Sequence, residues 1–134
     1  MKRLVAITAL VSGMLLILVP RYILPACEYE GYPRMHCSDT AAAEYILGAA
    51  LMVVGCATFF AHTDKRVLFG AVVSCILAVI AYRLPDTFGY CQSPRMPCNY
   101  GMVPGIRFIA VIEAMIMIIA IVNLFRKSRR NAHP

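Results

Sequence analysis

Apolar residues run along this chain in four long stretches, Leu4 to Leu24, Ala41 to Ala61, Val67 to Leu84 and Met102 to Phe125. Each is long enough to cross a hydrocarbon core of about 30 Å as a helix, which takes about 17 to 25 residues. None alternates with period two, and membrane strands would be only about 9 to 11 residues long, so a barrel is excluded. Between the stretches lie a long polar loop (Pro25 to Thr40), a tight one (His62 to Arg66) and a second long one (Pro85 to Gly101). The pattern predicts an all-α integral membrane protein, a four-helix transmembrane bundle forming a single membrane domain over residues 1–134.

Composition removes the soluble alternative. At 60% hydrophobic and 15% charged over 134 residues, with mean hydropathy +0.71, the chain is too apolar for one water-soluble core and too apolar for disorder. Its net charge of +6 does not point to nucleic acid, because no nucleic-acid-binding motif accompanies it. In a membrane protein basic residues report orientation first. Lys2, Arg3, Lys65, Arg66, Arg126, Lys127, Arg129 and Arg130 fall at the termini and the tight loop, against Arg21, Arg34, Arg83, Arg95 and Arg107 on the other side. The expected placement is a cytoplasmic (inner) membrane, with both termini cytoplasmic and the two long loops extracytoplasmic. Lys2 and Arg3 before an apolar run also fit a signal peptide, but Pro20, Arg21 and Tyr22 interrupt the approach to Leu24-Pro25-Ala26-Cys27, so the first span is expected to stay.

The chain partly repeats itself. Pro33-Arg34-Met35-His36-Cys37 is matched 61 residues later by Pro94-Arg95-Met96-Pro97-Cys98, and Leu24-Pro25 and Leu84-Pro85 close the first and third spans similarly. The bundle therefore reads as two parallel helical-hairpin pseudo-repeats, residues 1–62 and 63–134, each carrying a cysteine-containing outward loop.

Of the six cysteines, Cys27, Cys37, Cys91 and Cys98 lie in those loops, while Cys56 and Cys75 lie inside spans and read as small apolar packing residues. An even number of thiols outside the cell favours disulfides; pairs within each loop, Cys27 with Cys37 and Cys91 with Cys98, close short circuits, while cross-pairing would staple the halves together. Arg34 and His36 beside Cys37, and Arg95 near Cys98, would favour thiolates and hence redox exchange. In layout alone the four spans with paired loop cysteines resemble quinone-linked, disulfide-generating membrane oxidoreductases. Those enzymes carry Cys-x-x-Cys in the first loop, which is absent here, so no catalytic role carries over. Met35, His36, Cys37, Met96 and Cys98 are also soft or borderline ligands suited to copper(I) or zinc.

Within the spans Glu113 is the costliest residue, near the middle of the core, where a carboxyl group must be protonated, paired or facing a wet cavity. Arg107 lies on another face of the same helix; Arg21 or Arg83 is the expected cationic partner, with Ser12, Ser74 or Thr58 as the neutral one. Glu44 is expected near the outer surface, paired with an arginine or capping its helix. Gly70, Ser74 and Ala78 form a small-residue stripe for close helix approach, with Gly48 and Gly55 as its counterpart and homo-oligomerisation as a sharper use. No Walker loop, metalloprotease helix, nucleophile elbow or dinucleotide fingerprint occurs, so no catalytic residues and no cofactor are expected.

Pro20-Arg21-Tyr22, Pro25-Ala26-Cys27-Glu28, Met35-His36-Cys37-Ser38-Asp39-Thr40 with Glu44, and Cys91 with Ser93-Pro94-Arg95-Met96-Pro97-Cys98 together resemble an uncharacterised family of four-span bacterial and archaeal membrane proteins. That family usually writes the first motif with histidine after the cysteine, whereas here His36 precedes Cys37. The resemblance implies no activity; members are often encoded near FtsX-like ABC permeases, which implies an accessory membrane subunit. The leading expectation is a non-enzymatic subunit that presents a disulfide-closed outer cap to a partner such as an ABC permease. A thiol-exchange or soft-metal protein using the loop cysteines is the alternative, and a small transporter built around Glu113 the third.

Overall fold

In a computed structural model the described residues are 1–23, 36–89, 95 and 98–132, with nothing described of the side chains of 36, 37, 98 and 132. They form α1 (Lys2–Leu18), α2 (His36–Phe60), α3 (Asp64–Phe88) and α4 (Val103–Ala132), with no strand among the described residues. All four are long and apolar enough to cross a bilayer, which makes this a multi-pass membrane protein. Single π-helical turns extend α1 through Val19–Ile23 and precede α4 over Cys98–Met102. The first contains Pro20, whose missing N–H leaves one carbonyl of the preceding turn without its usual donor, so a local change of helical pitch there is readily tolerated.

The third span continues past the expected end at Leu84. Pro85 is accommodated inside α3, which runs on to Phe88 before Gly89, at φ 87°, closes it with an N–H donated to the Pro85 carbonyl. Left-handed backbone at that point is cheap only for glycine. The Thr40 hydroxyl donates to the Gly89 carbonyl at 3.0 Å, tying the start of α2 to the end of α3.

Neighbouring helices are antiparallel. α1 packs along α2, α3 along α4, and α4 closes the ring against α1. Gly13 lies against Gly48 and Gly55 against Ala6 and Leu10, which sets the register of α1 on α2. Gly48 and Gly55 therefore answer α1 rather than the Gly70 stripe on α3; Gly70 itself meets Thr58. At the α2–α3 turn end of the bundle the Lys127 ammonium donates to Asp64 at 2.9 Å, and toward the opposite end Arg107 donates to Asp86. Both pairs are exposed and each is worth no more than about 1 kcal/mol.

Each helix turns one seam inward, at alternating steps of three and four residues: Val5, Ala9, Ser12, Leu16 and Val19; Ala41, Glu44, Gly48, Leu51, Gly55 and Thr58; Val67, Ala71, Ser74, Ala78 and Ala81; and Val103, Ile106, Ala110, Glu113, Met117 and Ala120. That spacing is the seam of left-handed, coiled-coil-like packing. The interior is mostly small residues, whereas Phe60, Phe69 and Ile46 are 73%, 72% and 71% exposed. Such an inside-out distribution would be ruinous in water and is ordinary in lipid, where close backbone approach rather than apolar burial drives helix association.

Candidate functional site

Two apolar clusters fill the bundle, one toward the α2–α3 turn around Val5, Ala71, Met117 and Leu124, the other toward the long loops around Leu16, Leu51, Ile106 and Ala110. The seam residues that separate or interrupt them are polar. On α1 Ser12 falls between Ala9 and Leu16; on α4 Glu113 falls between Ala110 and Met117. The Ser12 hydroxyl donates to Glu113 Oε2 at 2.6 Å. Glu113 is 1% exposed, and its Oε1 is buried with no hydrogen-bond partner among the described residues.

Two more buried polar residues lie above and below this pair. Glu44 is 0% exposed, and among the described residues neither carboxyl oxygen has a hydrogen-bond partner. Since Gly48 abuts Gly13, next to Ser12, Glu44 stands little more than one turn, about 8 Å, from the Glu113 level toward the long loops. Ser74, fully buried with an unpartnered hydroxyl, stands about 8 Å from that level toward the α2–α3 turn, by the register that Thr58 and Gly70 set. Thr58 continues the series another turn on, its hydroxyl donating to the Val54 carbonyl at 2.8 Å. Glu44, Glu113 with Ser12, Ser74 and Thr58 thus recur at roughly one-turn intervals through the interior.

The expected cationic partners lie elsewhere. Arg21 is exposed over the Tyr22 ring, 5.7 Å from its centroid, and Arg83 is exposed. Arg107 pairs with Asp86 and lies over Tyr82 at 5.4 Å. Among the described residues no ion pair involves Glu113 or Glu44, so Ser12 is the partner that the structure supplies. Glu44 lies on the same inward seam as Ala41 and Gly48, so helix phase turns it into the bundle, and among the described residues no arginine forms an ion pair with it.

Cys27, Met35, Cys91 and Met96 fall outside the described residues, as do the side chains of His36, Cys37 and Cys98, so the disulfide and soft-metal assignments lie there too. Among the described residues no group of three or more His, Cys, Asp or Glu is placed to hold a metal ion. Cys56 and Cys75 are free thiols; Cys75 packs against the cluster near the turn, but Cys56 is exposed on the lipid-facing surface rather than packed inside.

Between α2 and α3, at the turn end, a groove of about 550 Å³ is lined by Val54, Ala57, Thr58, Phe69, Gly70 and Val73, with Lys65 and Arg66 at its mouth. At the other end Tyr82, Asn99, Pro104 and Arg107 border an open hollow of about 430 Å³ between α3 and α4.

Residues 9–126 match a family described as a domain of unknown function (DUF4418), and the chain belongs to that family. No curated protein matches the chain. No solved structure matches it.

Proposed function

We propose that the protein is a non-enzymatic multi-pass membrane protein that takes up a proton or a monovalent cation at Glu113, in the middle of its bundle. The observation that carries this reading is the Ser12–Glu113 pair: a wholly buried carboxyl group with one oxygen held by a hydroxyl and, among the described residues, no hydrogen-bond partner for the other and no basic side chain in an ion pair with it. Ionisable side chains inside a membrane are costly, and those that persist mark ion or proton pathways. Glu44 and Ser74 extend the polar series in both directions, and each has unpartnered oxygen. A hydrophobic carbodiimide couples to protonated carboxyl groups, so labelling of native membranes followed by peptide mass spectrometry reads the site directly. Glu113 should be modified, modification should vanish in Glu113→Gln, and raised pH or one particular alkali cation should protect it. Failure of Glu113 to react at any pH, with or without cations, overturns the proposal.

The two-repeat organisation is part of the same reading. What supports it is that the inward seam of α1 recurs 62 residues on in α3, Val5, Ala9, Ser12, Leu16 and Val19 answering to Val67, Ala71, Ser74, Ala78 and Ala81. The α2 seam recurs in α4 at the same distance, from Ala41 and Val103 through Leu51 and Glu113 to Thr58 and Ala120. Under this reading Ser12 and Ser74 are equivalent positions, and the carboxyl group belongs to the second half alone. With the basic residues at the turn end facing the cytoplasm, the Glu44 end opens outward.

The accessory-subunit role toward a membrane partner such as an ABC permease is the second reading, supported by the loop motifs and the family resemblance. Mild crosslinking in native membranes tests it, and purification of the chain alone after crosslinking sinks it.

A further inference from the structure

We propose that the groove between α2 and α3 at the turn end is a binding site for one anionic phospholipid, with its phosphate held by Lys65 and Arg66 and one acyl chain laid along the groove. Charge complementarity identifies the occupant. Asp64, the acid beside the two cations, is taken by Lys127 at 2.9 Å, while Lys65 and Arg66 enter no ion pair among the described residues. Two free cations thus stand at the mouth of an apolar trench.

The trench itself suits a hydrocarbon chain. Gly70 lets α3 close on α2 at Thr58, where an added Cβ would strike the Thr58 hydroxyl, and Ala57 leaves the floor beside it without bulk. Phe60 and Phe69, 73% and 72% exposed, stand as its walls. The hydroxyl in the floor, that of Thr58, already donates to the Val54 carbonyl, so no donor is left at depth to reward a polar ligand. From Lys65 to Val73 the groove follows α3 for about 12 Å, close to the roughly 15 Å of one leaflet of a 30 Å hydrocarbon core. A headgroup at Lys65 and Arg66 therefore meets the interface while its tail stays at tail depth. A partner's transmembrane helix, about 20 residues long, would find matching surface over less than half its length.

The test uses the full chain in neutral detergent, with equal amounts of phosphatidylglycerol and phosphatidylcholine added, read by native mass spectrometry. One phosphatidylglycerol should be retained with a preference of about thirtyfold, the effect expected of two basic residues at a membrane surface. Lys65→Gln with Arg66→Gln should bring the preference to about one, whereas Arg129→Gln with Arg130→Gln, cations on the exposed end of α4, should leave it. Ala57→Phe, at an exposed position, should fill the trench and reduce retention of either lipid without changing thermal stability. Equal binding of the two lipids, survival of the preference in the Lys65 and Arg66 variant, its loss in the Arg129 and Arg130 variant, or undiminished retention in Ala57→Phe overturns the assignment. Recovery of a protein in the groove in place of lipid does so as well.

Discussion

The approach of α1 to α2 sets the depth of Ser12, and Gly48→Ala tests it most directly. A methyl group on Gly48 would lie 2.7 Å from the Gly13 carbonyl oxygen and 2.8 Å from Ile17 Cγ1, where ordinary contact begins at 3.4 Å. Gly13 faces the same situation in reverse, 2.7 Å from the Gly48 carbonyl oxygen. The obstruction is backbone, so the helices must separate by several tenths of an ångström rather than turn a side chain aside. Overpacking of this kind costs about 1 to 3 kcal/mol, offset by about 1 kcal/mol from alanine's better helix propensity. The net loss expected is up to about 2 kcal/mol, a fall of up to roughly thirtyfold in the folding equilibrium. Unfolding in mixed micelles with a rising fraction of ionic detergent, followed by circular dichroism, measures it. Because Gly13 follows Ser12, the same displacement should shift the Ser12 hydroxyl relative to Glu113, and carbodiimide labelling of Glu113 should change with it. A Gly48→Ala protein as stable as the parent, with unchanged labelling, would refute the close approach and the placement of Ser12 that depends on it.

Ser12→Ala and Glu113→Met, measured singly and together in the same unfolding assay, should give a coupling of about 0.6 kcal/mol and at most about 1.7, the range of hydrogen bonds between membrane helices; additive losses would mean that the 2.6 Å bond contributes nothing. Gly89→Ala forces a side chain onto backbone at φ 87° and should lower stability by roughly 1 to 2 kcal/mol, and a neutral result would deny the left-handed closure of α3. Differential alkylation of Cys27, Cys37, Cys91 and Cys98 in native membranes, before and after mild reduction, should find all four oxidised and resistant if they staple the outer cap; ready cycling or retained metal moves the chemistry to the loops.

Part of the site is legible in the amino-acid sequence. Glu113 stands out because a carboxyl group among Ile, Ala and Val residues has no cheap place in a bilayer, and Ser12 and Ser74 follow as the few hydroxyls on neighbouring spans. Glu44 is not legible in the same way, because its distance from the helix start gives only its level along the bundle, and which way it faces depends on helix phase. Gly13 is hidden for a related reason. Its signal lies in Ala6, Ala9 and Gly13, small residues spaced by three and four, but these belong to a helix apolar on every side.

Hydrophobic length alone determines that there are four spans, because a bilayer accepts unsatisfied backbone from nothing shorter, and charge placement sets an expectation for their orientation. Which face of each helix turns inward, which glycine meets which helix, and that Ser12 reaches Glu113 while Arg21, Arg83 and Arg107 do not were decided by tertiary packing. In water a polar stripe tells a helix which way to face. In lipid both sides of these helices are apolar, so facing is settled by the close fit of small residues between particular pairs of helices, and that fit exists only once the partners are in place.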